Sequence, residues 1–184
     1  AVSFQGEEVR RAVVSVTQRT TEFSISMVEG HLISGFHYWS PKEPNLYDAT
    51  IRILDGADEV DHVSTYFGMR KIAVKEGRVL LNNQPLYQRL VLDQGYWPDS
   101  HLTPPSDDAI RADVEWTKKL GYNGAPKHQK LEDPRYYYWA DKLGILVWGE
   151  VPSAYEFTDE SVNNLSATLA GFIDRDYNHP SIIC

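Results

Sequence analysis

Residues 145–152 read Ile145-Leu146-Val147-Trp148-Gly149-Glu150-Val151-Pro152, an apolar run that ends on a carboxylate and a proline. A continuous apolar stretch of this length suits a strand buried on both faces, as in a parallel sheet. Helical signals flank it. Upstream, Asp133-Pro134 supplies an N-cap with proline at the first helical position, and the predicted helix runs to Gly144. Downstream, Thr158 or Asp159 opens a helix whose Val162, Leu165, Leu169, Phe172 and Ile173 share one face. That helix ends near Asn178-His179-Pro180, and Ser181-Ile182-Ile183-Cys184 begins another strand.

The same alternation extends towards the N-terminus. "YNGAPKHQ" (residues 122–129) reads as a short strand. Before it lies a helix with Ser106 as N-cap, Asp107 and Asp108 at the positive end of its dipole, and Gly121 after its last turn. Ile110, Val114 and Thr117 form its inward stripe. "LYQRLVLD" (86–93) is the first strand of the series, preceded by a hairpin with turns at Glu76-Gly77 and Asn82-Asn83. Strand and helix in strict alternation imply parallel pairing through right-handed crossovers. Two architectures fit: an open doubly wound sheet and a (β/α)8 barrel. The loop "DQGYWPDSHLTPPSD" (93–107) carries neither a glycine-rich phosphate fingerprint nor a Walker lysine. A long decorated loop at a strand's carboxyl end favours the barrel, and spacing alone leaves the open sheet as the alternative.

Up to about residue 70 the period is two. Val14 and Val16 share a face, as do Phe23, Ile25 and Met27; Ala49, Ile51 and Ile53; and Val63, Thr65 and Phe67. Asp55-Gly56-Ala57-Asp58 is a hairpin connection between the last two runs. Short alternating strands predict an antiparallel sandwich with one face of each sheet buried, serving as a scaffold.

Composition narrows the function. The chain has 184 residues, 18 Lys and Arg against 26 Asp and Glu, and a net charge of −8 with no basic cluster, which argues against a nucleic-acid partner. No stretch is apolar enough to span a membrane. The one cysteine, Cys184, excludes an internal disulfide. The chain opens on Ala1 without methionine, so the absence of a targeting signal carries no weight, and bacterial cytoplasm and periplasm stay equally open. An aromatic load of five Trp and 11 Tyr fits both carbohydrate binding and β-rich cores.

Several stretches carry a resemblance. "YWSPKEPNLYDATIRIL" looks like the tryptophan-Ser-Pro to Pro-x-Leu-Tyr signature late in the immunoglobulin-like domain of glycoside hydrolase family 2, the family of β-galactosidases, β-glucuronidases and β-mannosidases. "VSTYFGMRKI" resembles that domain's last strand and exit. "GRVLLNNQPLYQRLVLDQGYWPD" resembles the hairpin and first barrel strand, and residues 107–153 resemble the next two repeats. "NHPSII" resembles the lead-in to the fourth strand. The resemblance covers roughly residues 36–184. It implies an incomplete immunoglobulin-like β-sandwich over residues 1–70 and the first part of a TIM-barrel catalytic domain over 71–184, an internal piece of a longer retaining β-glycosidase. In the family, the acid/base glutamate follows a few residues beyond the position of Cys184 and the nucleophile comes from a later strand. The chain is therefore expected to contain no catalytic residue, to need no cofactor or metal, to take a β-linked carbohydrate substrate in the whole protein, and to contact missing domains or self-associate. A non-catalytic carbohydrate-binding or adhesion module is the alternative function.

The polar and aromatic residues at strand ends are the candidate sugar contacts: Asp93, Gln94, Tyr96, Trp97, Lys127, His128, Trp148 and Glu150. Asp93 and Glu150 are expected to line the pocket rather than to form a catalytic pair of their own. Strand alternation means that Lys127, His128 and Gln129 cannot all face substrate. Tyr96 and Trp97 suit a pocket wall, and Trp148 a stacking platform. His31, His37, His62, His101 and His179 are read as surface or packing residues, and Tyr136, Tyr137, Tyr138 and Trp139 as packing the second helix on the strands. One departure stands out. The family typically has arginine at the position of Pro126, and a proline there predicts a bulge or a strand end.

Overall fold

A computed structural model describes residues 1–28 and 37–184. The resemblance's first residue and the expectation for His31 therefore lie outside the described residues.

The antiparallel part is one sheet of β1 (Val2–Phe4), β2 (Glu7–Arg10), β3 (Tyr47–Asp55) and β4 (Asp58–Phe67), in the order β2-β1-β3-β4. The β3–β4 hairpin forms where Asp55-Gly56-Ala57-Asp58 predicted it, with Asp55 opposite Asp58. The β1–β2 hairpin was not anticipated. Its turn residues Gln5 and Gly6 both have positive φ, the conformation of a two-residue type I′ connection. The expected strands around Val14 and around Phe23 do not form: residues 12–28 carry no strand, and Val16 and Phe23 are exposed. Alternation marks a segment able to be a strand, but a ladder partner makes it one, and none pairs with these residues among the described residues. Only one end of the sheet is packed. Tyr47 is buried and stacks on Phe67 at 5.3 Å, while Ile51 and Ile53 remain 49% and 50% exposed. The expected second sheet over this face is absent from the described residues.

A three-stranded antiparallel sheet follows, β5 (Ile72–Lys75), β6 (Arg78–Leu81) and β7 (Gln84–Pro85). Its turns fall at Glu76-Gly77 and Asn82-Asn83 as expected, all four residues having positive φ.

The remainder alternates as predicted. α1 (Asp107–Lys119) is capped by the Ser106 side chain, which accepts from the Ala109 N–H, and buries Ile110, Val114 and Thr117. α2 (Pro134–Leu143) is capped by Asp133 and ends on left-handed Gly144. α3 (Asp159–Asp176) opens with a capping box between Thr158 and Ser161. β8 (Gly124–Lys127) and β9 (Leu146–Gly149) pair in parallel without a register shift. On the outer side of β8, residues 89–93 pair in parallel through Leu90–Gly124 and Asp93–Lys127 bridges. On the outer side of β9, the Val147 N–H donates to Ser181 and its carbonyl accepts from Ile183. Four parallel segments thus lie side by side in chain order.

The helices cover one face of this ribbon. Ile110, Val114, Tyr136, Tyr137, Ala140, Ile145, Val147 and Phe172 make its core. Phe172 alone carries α3 into that core, seated against Gly149, where a Cβ would stand 2.6 Å from its ring. Val162, Leu169 and Ile173, expected to face inward with it, are exposed. Of the α2 aromatics, Tyr136 and Tyr137 pack on the strands; Tyr138 turns to Tyr66 of β4, and the Trp139 indole bonds Asp107 of α1.

Pro126 corrects an expectation. It sits inside β8, opposite Trp148 in continuous register, neither at a bulge nor at a strand end. Its carbonyl accepts from the Asp93 N–H at 3.1 Å, so its ring nitrogen faces residues 89–93 as well. The missing N–H falls on that side, where pairing is reduced to two bridges. The β8–β9 ladder never needed it. Among the described residues, no helix is long and apolar enough to cross a membrane.

Candidate functional site

Strand alternation sorts the candidate residues onto two faces. Asp93 and Lys127 are paired in the ladder, and Lys127 lies opposite Gly149. This row shares its face with Val147 and with the ring of Phe172, so it points at the helices. Residues one step away point to the opposite, open face. There, the Trp148 indole donates to Gln88 Oε1 at 2.9 Å, and Gln94 Nε2 lies 3.1 Å from His128 Nδ1. Glu150 continues the row, its Oε2 accepting the Gln129 N–H at 3.0 Å. Gln94, His128, Trp148 and Glu150 therefore come together on one face. Asp93 and Lys127 do not join them.

What Asp93 and Lys127 build is a buried ion cluster. Lys127 is 1% exposed; its Nζ contacts Asp93 Oδ2 at 2.5 Å and Glu132 Oε2 at 3.0 Å, and lies 3.8 Å from the centre of the Tyr136 ring. Glu132 is 2% exposed and also pairs with Lys130 at 2.9 Å. Lys130 in turn donates to the carbonyls of Gly95 and Leu102. Asp93 Oδ1 accepts the Gly95 N–H at 2.7 Å. Gly95 has positive φ, and a Cβ there would stand 2.7 Å from both Glu132 Oε2 and Lys130 Nζ, so the loop can cross the cluster only at a glycine.

Asp113 of α1 completes the cluster. Burial first, and then the facing Asp93 carboxylate, hold its pKa above the ordinary carboxylate range, against the pull of Lys127. A raised value means that the folded state keeps a proton which the unfolded chain releases. The stabilisation is present at low pH and lost as pH rises through the folded value. Asp113→Asn keeps a donor facing Asp93 without the charge. It should melt higher than wild type above that pH and show a flatter decline, measured by thermal unfolding from about pH 4 to about pH 8.

Tyr96 is 69% exposed on the loop. Trp97 is half-buried in a tight turn closed by its backbone bonds to His101. A groove of about 790 Å³ lies elsewhere, between residues 40–42, the β6–β7 hairpin and the α1–β8 turn, lined by Tyr87, Arg89, Tyr122 and Asn123. It sits at the amino ends of the parallel segments, and none of the eight candidates lines it. Among the described residues, no group of three or more His, Cys, Asp or Glu is arranged to hold a metal.

His179 was read as a bland residue, and the structure gives it a partner. Its Nδ1 lies 2.6 Å from Asp141 Oδ2, which also accepts from the Tyr66 hydroxyl at 2.9 Å. Asp141 Oδ1 accepts the Ser181 N–H at 2.9 Å, and its backbone carbonyl takes the Trp39 indole N–H at 2.8 Å. Asp141, fully buried, thus ties the antiparallel sheet to α2 and to the fourth parallel segment. The one sequence signal was an acid on the otherwise apolar inner face of α2.

Residues 2–70 match the family model for glycosyl hydrolases family 2. A putative β-glucuronidase of Formosa agariphila is 27% identical over 97% of this chain and 21% of its own length. A β-galactosidase of Leuconostoc mesenteroides is 30% identical over 79% of the chain and 15% of its length. The chain carries a glycosyl hydrolases family 2 segment. The solved β-glucuronidase of Ruminococcus gnavus in complex with D-glucuronic acid superposes with a TM-score of 0.73 and 26% identity over 80% of the chain and 26% of that structure. The chain thus spans about a fifth of the length of these family 2 relatives.

Proposed function

We propose that this chain is part of a retaining β-glycosidase. Residues 1–70 belong to its immunoglobulin-like domain, and residues 71–184 form the first part of a (β/α)8 barrel. The observation that carries the reading is the parallel ribbon itself: four segments paired in chain order, helices on one face, and Gln94, His128, Trp148 and Glu150 on the other. A doubly wound sheet reverses its order next to the first strand; a barrel does not. The open face becomes the barrel lumen, and the carboxyl ends of the strands become the site.

In this reading Glu150, His128 and Gln94 hydrogen-bond sugar hydroxyls, Trp148 supports a ring face, and Tyr96 with Trp97 forms the rim. Asp93 and Lys127 act from behind the wall. A retaining glycosidase needs two carboxyl groups about 5–5.5 Å apart. Asp93 is not placed to be the second carboxyl beside Glu150, because Lys127 holds it on the opposite face. In this reading the reacting carboxyls belong to strands outside these residues. The exposed apolar faces of β3–β4 and of α3 are surfaces that other parts of a longer polypeptide cover.

The test uses aryl β-galactoside, β-glucuronide and β-mannoside. The 184-residue chain should turn over none of them. The polypeptide encoded by the parent reading frame should hydrolyse at least one, with the β-anomer as the first product by NMR. Turnover by the chain alone, or a first-formed α-anomer, would refute the reading.

A further inference from the structure

Gln94 and His128 are each held between two anchored neighbours. On one side of Gln94, Asp93 is fixed by Lys127; on the other, Gly95 is fixed through its N–H by Asp93 and through its carbonyl by Lys130. His128 follows Lys127, donates its N–H to the Asp93 carbonyl at 2.8 Å, and precedes Gln129, whose N–H is bound by Glu150. Apart from Glu150, the anchoring side chains belong to the buried cluster, on the helix face. The two held side chains are on the open face.

We propose that Lys127 and Glu132 are positioning residues: through the Asp93–Lys127–Glu132–Lys130 cluster they hold Gln94 and His128 in register, so that His128 offers a fixed donor to a ligand on the open face. The Gln94 amide nitrogen can only donate, so His128 Nδ1 is the acceptor and the ring proton sits on Nε2. That leaves an Nε2–H donor for a hydroxyl or carboxylate oxygen. Neither Lys127 nor Glu132 need touch the ligand. The consequence for sugar binding rests on the glycosidase reading above, whereas the positioning itself does not.

The experiment is side-chain NMR on the 184-residue chain, with Gln94→Ala and His128→Gln used to assign the two groups. The wild-type chain should show an NOE between the Gln94 carboxamide protons and the His128 ring proton next to Nδ1. Lys127→Met/Glu132→Leu removes one charge of each sign, so the fold can survive, and a dispersed amide spectrum checks that it does. In this variant the NOE should disappear while the spectrum stays dispersed. A cluster that merely stabilises the fold would leave the NOE in place in the double variant. That result, or its absence from wild type, overturns the proposal. Adding methyl β-D-galactoside or D-glucuronate separates the two readings. An intact NOE without any ligand-induced shift of His128 upholds the positioning and counts against the sugar-facing role.

Discussion

Glu132→Leu should destabilise the chain by about 3–5 kcal/mol, the usual cost of removing one partner from a buried ion pair. Lys127, 1% exposed, would keep only Asp93 and the Tyr136 ring, and Lys130 would keep only carbonyl partners. The loss comes from stranded cations rather than from the attraction removed, because both lysines have already lost their water. Lys127→Met/Glu132→Leu removes the more deeply buried of the two and should therefore recover part of it. Urea denaturation checks both variants, with the midpoint shifting at constant m. A single variant as stable as wild type would mean that water reaches Lys127 freely, contrary to its burial.

Asp141→Leu should cost about 2–6 kcal/mol, roughly 1–3 kcal/mol for each of two donors left without an acceptor. Three lose that acceptor: the Tyr66 hydroxyl, His179 Nδ1 and the Ser181 N–H. The hydroxyl lies 3.3 Å from His179 Nδ1, so those two can bond each other and two donors stay unmatched, one from this pair and the Ser181 N–H. Burial and the Asp141 carboxylate push the Tyr66 ionisation far up, so its hydroxyl stays a donor across the working range. Asp141→Asn should cost less, because its amide oxygen can still serve one donor and the His179 ring can change tautomer to accept from the amide. The damage should be local as well. Amide exchange at Ser181 and Ile183 should accelerate in Asp141→Asn while that within the β5–β6 hairpin stays unchanged. Equal acceleration in both places would mean that Asp141 supports global stability alone.

These two sites differ in how visible they were. The cluster could be half seen: Asp93 and Lys127 were recognised as strand-end residues, and alternation required Lys127 and His128 to face opposite ways. Which of them faced the helices depends on Val147, Phe172 and Tyr136 taking one side of the ribbon, a packing outcome that periodicity does not decide. Asp141 and His179 are 38 residues apart in the chain, and Asp141 and Tyr66 are 75 apart. No local pattern joins them. Pro126 misled for the opposite reason. The local disfavour of proline in strands does not depend on the proline alone, because its missing N–H matters only if it faces a full ladder.

The sequence by itself determined what local free energy controls. Ser106, Asp133 and Thr158 cap helices because their side chains meet backbone N–H groups within the next few residues. The turns at Gly56, Gly77 and Asn82-Asn83 form because these residues tolerate positive φ. The alternation of strand and helix follows from such signals. The tertiary structure decided the rest: that residues 12–28 found no ladder, that Gln5-Gly6 closed a hairpin, and that Asp93 and Lys127 turned towards the helices while Gln94 and His128 turned away. A strand's two faces are equivalent until a core forms against one of them, and only long-range contacts choose which.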